Sequence, residues 1–129
     1  MWLLFALSLG LSASGQVLEP SSDAASGAAY CHQREAGSVD PDQTFRIPGI
    51  FRSDDLHWVF EPKDCPTRKL GLSIAMPEDR RASLNAYFDA VRGEQRGGFI
   101  DYPVILTGRI RPHGYGGLEL VVSDFAVPD

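Results

Sequence analysis

The sequence predicts a mostly β domain with one helix between its third and fourth strands. Three observations carry this. Five segments alternate apolar and polar residues with period two. One segment between Met76 and Glu94 switches to helical spacing. Proline, glycine and aspartate clusters punctuate the chain between these segments.

The first strand candidate is Thr44 to Arg52. Phe45 and Ile47 alternate with polar neighbours, Pro48-Gly49 interrupts, and Ile50-Phe51 resumes the run. A Pro-Gly inside a strand points to a bulge or an edge. Asp54-Asp55 signals a turn, and the second strand follows over Leu56 to Glu61, with Leu56, Trp58 and Phe60 on one face. Pro62 and Pro66 mark the next loop, since neither suits a central strand. The third strand is Lys69 to Ala75, with Leu70, Leu72 and Ile74 facing one way.

Pro77-Glu78-Asp79 reads as a helix entrance, with acids at the positive end of the dipole. Leu84, Tyr87, Phe88 and Val91 form its apolar face, and Gly93 its C-cap. Arg80 and Arg81 fall at the end least suited to cations, which assigns them to solubility or to a partner. The fourth strand, Tyr102 to Arg111, sets Val104, Leu106 and Ile110 opposite Ile105, Thr107 and Arg109. Gly114-Tyr115-Gly116-Gly117 is a hairpin loop. The fifth strand, Leu118 to Val127, has Leu118, Leu120 and Val122 on one face and Val121, Phe125 and Val127 on the other, as if it passed between two layers. Three strands, a helix and two strands is the order of the OB-fold, a five-stranded, partly open Greek-key barrel whose helix plugs one end. An open α+β sheet with one packed helix is the alternative.

Residues 2–11 are an apolar run followed by the small residues Ser12 to Gly15. That order reads as a signal peptide over residues 1–15. It falls short of the roughly 20 residues of a spanning helix, although a retained anchor is the rival reading, because the amino group of Met1 is the only positive charge ahead of the run. Residues 16–29 are rich in Ser, Ala and Gly and read as a flexible leader. Residues 30–129 are then one small domain. No second apolar stretch is long enough to span a membrane. The net charge of −5 argues against a protein that depends on neutralising phosphates.

Cys31 and Cys65 are the only cysteines. In an exported chain an even count suggests a disulfide. Two free thiols and a metal pair are the alternatives, the latter disfavoured by the lack of C-x-x-C and of a suitably spaced His.

A set of local motifs adds a likeness. Cys31 precedes a polar segment and a strand ending in Gly49-Ile50-Phe51. Then come Asp54-Asp55-Leu56-His57, Glu61-Pro62-Lys63-Asp64-Cys65-Pro66, Leu70-Gly71-Leu72 and Val104-Ile105-Leu106-Thr107-Gly108-Arg109. From Cys31 to Phe125 the chain resembles small exported bacterial proteins with an OB-like fold and no established activity. The resemblance implies paired cysteines and an envelope or extracellular location. It transfers no catalytic residue.

None of His32, His57 and His113 has metal-ligand spacing. Asp54, Asp55 and His57 form a potential cation or proton-transfer cluster, but a solvated turn accounts for them more simply. No Gly-x-Ser-x-Gly elbow or phosphate loop is present, and Cys65 as a nucleophile competes with its pairing to Cys31. The sequence therefore offers no catalytic group, cofactor site or metal site. The candidate ligand surface is softer. Arg46, Arg52, Arg109 and Arg111 lie on strands that neighbour each other in an OB barrel, with His57, Trp58, Tyr102 and Tyr115 as aromatic company. Charge plus stacking is how such barrels bind single strands; core aromatics and cross-strand ion pairs are the plainer account. The expected function is an exported, non-enzymatic binding or interaction module for a ligand or envelope protein. The alternatives are a single-stranded nucleic acid or polyanion binder using the arginine strip, and a structural subunit of an envelope complex.

Overall fold

A computed structural model describes residues 23–53, 58–94, 100–114 and 117–129. Residues 1–22, which hold the expected signal peptide and the start of the expected leader, together with Asp54, Asp55, His57 and Tyr115, lie outside the described residues. The elements are β1 (Ala25–Ser26), α1 (Gly27–Ala36), β2 (Phe45–Ser53), β3 (Trp58–Pro62), β4 (Gly71–Ile74), α2 (Glu78–Arg92), β5 (Ile100–Pro112) and β6 (Leu118–Ala126). Mostly β is thus correct, but the described residues hold six strands and two helices rather than five and one. Among the described residues no helix is long and apolar enough to cross a membrane.

The strands form one mixed sheet in the order β1-β2-β5-β6-β4, with β3 on the other edge of β2. The β1–β2 and β4–β6 pairs are parallel, and β2–β3, β2–β5 and β5–β6 are antiparallel. The expected barrel is not closed. Between β3 and the chain entering β4 the pairing is a single bridge, in which Phe60 and Leu70 exchange backbone hydrogen bonds of 2.9 and 3.0 Å. Continued in register, Trp58 would meet Leu72, but the strands part there.

The expected bulge at Pro48-Gly49 is absent. Strand β2 runs unbroken, and Gly49 pairs with Pro62 on one side and Val104 on the other. The Pro48 carbonyl accepts from Lys63 N–H at 2.8 Å. A strand residue directs its N and O to the same edge, so the missing Pro48 donor faces Lys63, one step past the last β2–β3 pair, and the ladder ends there. Gly49 answers to a close approach, since a Cβ there would stand 2.4 Å from the Glu61 carbonyl oxygen.

The irregularity lies instead between β5 and β6. Thr107 pairs with Asp124 but Gly108 pairs with Val122, leaving Ser123 as the extra residue of a bulge. Its hydroxyl donates to the Thr107 carbonyl at 3.2 Å. The bulge reverses the phase of β6, so Leu120, Val122 and Phe125 all reach the core. Two apolar faces therefore do not mean two layers here.

Helix α1 overlaps the segment read as flexible. Ser26 caps it by accepting from Ala29 N–H at 3.0 Å, and Gly37, at φ 80°, ends it in the left-handed region. The helix buries Tyr30, whose ring meets Phe45 edge-on at 6.0 Å. The Tyr30 hydroxyl donates to the Arg68 carbonyl at 2.8 Å and accepts from Arg34 at 2.6 Å; its pKa is raised, chiefly by burial. Cys31 and Cys65 form a disulfide on the same seam. Helix α2 packs Leu84 into the core with Tyr87, Phe88 and Val91 beside it, as the spacing predicts. Its first turns are clamped by Arg80, which reaches Asp124 and the Phe125 carbonyl and lies 4.6 Å above the Phe125 ring. Arg80 is therefore structural, not a free partner contact.

Candidate functional site

The parting of β3 and β4 opens the inner face of the sheet beside α2. The result is a cleft of about 570 Å³, within the range typical of small-molecule sites. Its floor is Phe51 from β2 with Val104 and Leu106 from β5. Trp58, Leu72 and Ile74 line the side where the ladder stops, and Leu84 and Phe88 line the helix side. Trp58 and Ile74 remain 60% and 41% exposed, so apolar surface stays in water at the mouth.

One wall is an aromatic cluster. Phe51 stacks on Phe88 at 5.4 Å and touches Trp58 at 5.2 Å, while Phe88 lies 4.4 Å from Tyr102. These separations suit offset aromatic pairs. They hold the exposed Trp58 ring against a buried neighbour. Tyr87 fixes α2 to β5 by donating its hydroxyl to the Pro103 carbonyl.

The rim is polar and comes from α2: Arg81, Asn85, Asp89 and Arg92. Arg92 donates to Asp89 at 2.8 Å. Its pKa is raised, first by Tyr102 and then by Asp89. Arg81 is exposed and makes no ion pair among the described residues.

The predicted arginine strip is distributed differently. Arg46 and Arg109 alternate with buried residues and so face outward, away from the cleft. Arg52 sits at the far end of β2, held by both Asp101 oxygens at 2.7 and 3.1 Å and by Glu61 at 3.1 Å. That contact raises the pKa of Arg52 and lowers that of Asp101. Arg109 stands 3.6 Å from Asp42. Arg111 lies 2.5 Å from Glu119, whose carboxylate is 8% exposed and also meets His113 at 3.0 Å. Carboxylates thus neutralise three of the four arginines, and only Arg46 lacks an ion pair among the described residues. His57 and Tyr115 lie outside the described residues.

Of the candidate ligand-surface residues that are described, Trp58 lines the cleft and Tyr102 stands behind it in the core; Arg81, read from sequence as serving solubility or a partner, lines it too. Phe51, Leu72, Ile74, Leu84 and Phe88 read as ordinary core positions, because their alternation says which face they share and not where that face is left uncovered. Arg81 was legible as a cation out of place in an early helical turn, without a partner to explain it. No protein-family model, curated protein or solved structure matches this chain.

Proposed function

We propose that this chain is an exported, non-enzymatic binding module of OB-like descent in the bacterial envelope, with the cleft as its ligand site. The observation that carries the reading is the exposed Trp58 and Ile74 at the mouth of an apolar cleft. A folded domain gains by covering such surface, and here the ladder stops short of doing so. The OB-like reading is supported by the neighbour circuit β2-β3-β4-β6-β5, which returns to β2 once the Phe60–Leu70 bridge is counted. Export is supported by the Cys31–Cys65 disulfide, which persists in oxidising compartments. The polyanion alternative draws less support, since its arginines are largely neutralised.

Trp2 and Trp58 are the only tryptophans. With Trp2 replaced by Phe, emission reports on the cleft alone. Titration with anilinonaphthalene sulfonate should give saturable one-to-one binding with energy transfer from Trp58. Non-saturable uptake would refute the cleft as a site. Turnover in an unbiased hydrolase screen, abolished by one side-chain change, would refute the non-enzymatic part. Intact mass of protein recovered from the export compartment tests the leader: loss of the first fifteen or so residues is expected, and a full-length mass would contradict it.

A further inference from the structure

We propose that the cleft takes a single-chain amphiphile with an anionic head group, the tail lying between α2 and β4 and the head at Arg81. This rests on the cleft being a ligand site and adds what the ligand is. Arg81, Leu84, Asn85, Phe88 and Arg92 fall on one stripe of α2, at i, i+3, i+4, i+7 and i+11. At 1.5 Å per residue the two arginines are about 16 Å apart along the axis. Leu84 and Phe88 lie between them, facing the apolar side chains of β4 across the cleft. An apolar cleft whose lining ends in a cation along the helix suits an alkyl chain bearing one charged end.

The sign of the head follows from the rim. Two guanidiniums there face one carboxylate, Asp89, and Arg92 already engages it. The adjacent Arg80 is committed to Asp124 and Phe125, so the contrast with Arg81 is local. Among the described residues the rim is therefore net positive, on a chain whose net charge is −5. A guanidinium binds carboxylate and phosphate by charge-assisted hydrogen bonds. A fatty carboxylate and a lipid phosphate share this chemistry.

The test uses the full chain carrying Trp2→Phe, with Trp58 emission as the readout. The probes are dodecanoate, dodecyl phosphate, dodecanol and dodecyltrimethylammonium, all below their micellar concentrations. Saturable one-to-one binding of both anions, tighter than dodecanol, is expected; which anion is tighter identifies the head group. Arg81→Ala should weaken the anions up to about five-fold, the range of a solvent-exposed ion pair, and leave dodecanol unchanged. Ile74→Glu, at a half-exposed position, should weaken the anions more than the alcohol. Equal binding of dodecanol and dodecanoate would overturn the head-group assignment and leave the cleft reading standing. Tighter binding of the ammonium probe would do the same. If no probe saturates, or if Ile74→Glu moves none of them, both readings fall.

Discussion

Removing the Cys31–Cys65 bridge isolates what the covalent bond adds to a seam that is already packed. The two Cα atoms are 5.9 Å apart and the cysteines are separated by 34 positions. For a loop of that length the entropy of closure corresponds to about 3.8 kcal/mol at 25 °C. The native side of the balance should change little. Tyr30 is fully buried, its hydroxyl bonds Arg68 and Arg34, and Arg68 pairs with Glu35 at 2.9 Å. These contacts hold α1 on the 65–69 segment without the sulfurs, so the loss falls on the unfolded chain, which gains freedom. The assay is urea unfolding, followed by circular dichroism, of the Cys31→Ala/Cys65→Ala chain against the oxidised parent. A fall of about 2–4 kcal/mol is expected, with a slightly steeper denaturant dependence because the unlinked chain exposes more surface. In a domain of this size each kcal/mol moves the midpoint temperature by roughly 4–8 °C. A loss below about 1 kcal/mol, with oxidation of the parent verified by mass, would refute the reasoning.

Four further outcomes are expected. Gly108→Ala should destabilise by about 3 kcal/mol or rearrange the bulge, since its Cβ would stand 1.9 Å from the Val121 carbonyl oxygen; unchanged thermal unfolding would contradict the assigned register. Arg111→Ala should cost about 1–3 kcal/mol, because it takes a charged partner from the nearly buried Glu119, whereas Arg109→Ala, whose partner Asp42 is exposed, should cost less than about 0.5 kcal/mol; equal costs in denaturant titrations would remove the distinction. Asp101 has a lowered pKa in the folded state, first through its hydrogen bonds from Arg52, so its contribution is present above the ordinary aspartate pKa of about 3.9 and is lost as pH falls through the lowered value. Asp101→Asn should accordingly flatten the acid limb of stability by less than about 1 kcal/mol, as both partners are partly solvated; an unaltered limb would show that the pair contributes nothing.

The strand and helix periods were legible because burial on one face imposes them directly. Phe45, Ile47, Phe51, Val104, Leu106 and Ile110 are core residues, as their alternation indicates. Helix α1 was hidden because its apolar face is narrow: Tyr30 carries most of it, and the Ser26 and Gly37 caps were the readable signal. The bulge was misplaced for a related reason. Pro48-Gly49 carries the usual sequence mark of irregularity, yet Gly49 serves close packing against Phe60 and Glu61, while the bulge at Ser123 is marked only by Phe125 falling out of phase. The partners of the arginines were not legible, since a cation's carboxylate is set by cross-strand register and not by its neighbours in the chain.

The sequence by itself determined the alternation within the central strands, the apolar face of the second helix, the order of strands 2 to 6 with that helix before the last two, and the identity of the two cysteines available to pair. Those are properties of local period and composition. Tertiary structure decided where the ladder between β3 and β4 stops, which arginines are paired with a carboxylate, and hence that Trp58 and Ile74 border an open apolar cleft with Arg81 at its rim. Both the sealing of a sheet and the pairing of a charge depend on contacts between segments distant in sequence, and no local pattern encodes where such contacts end.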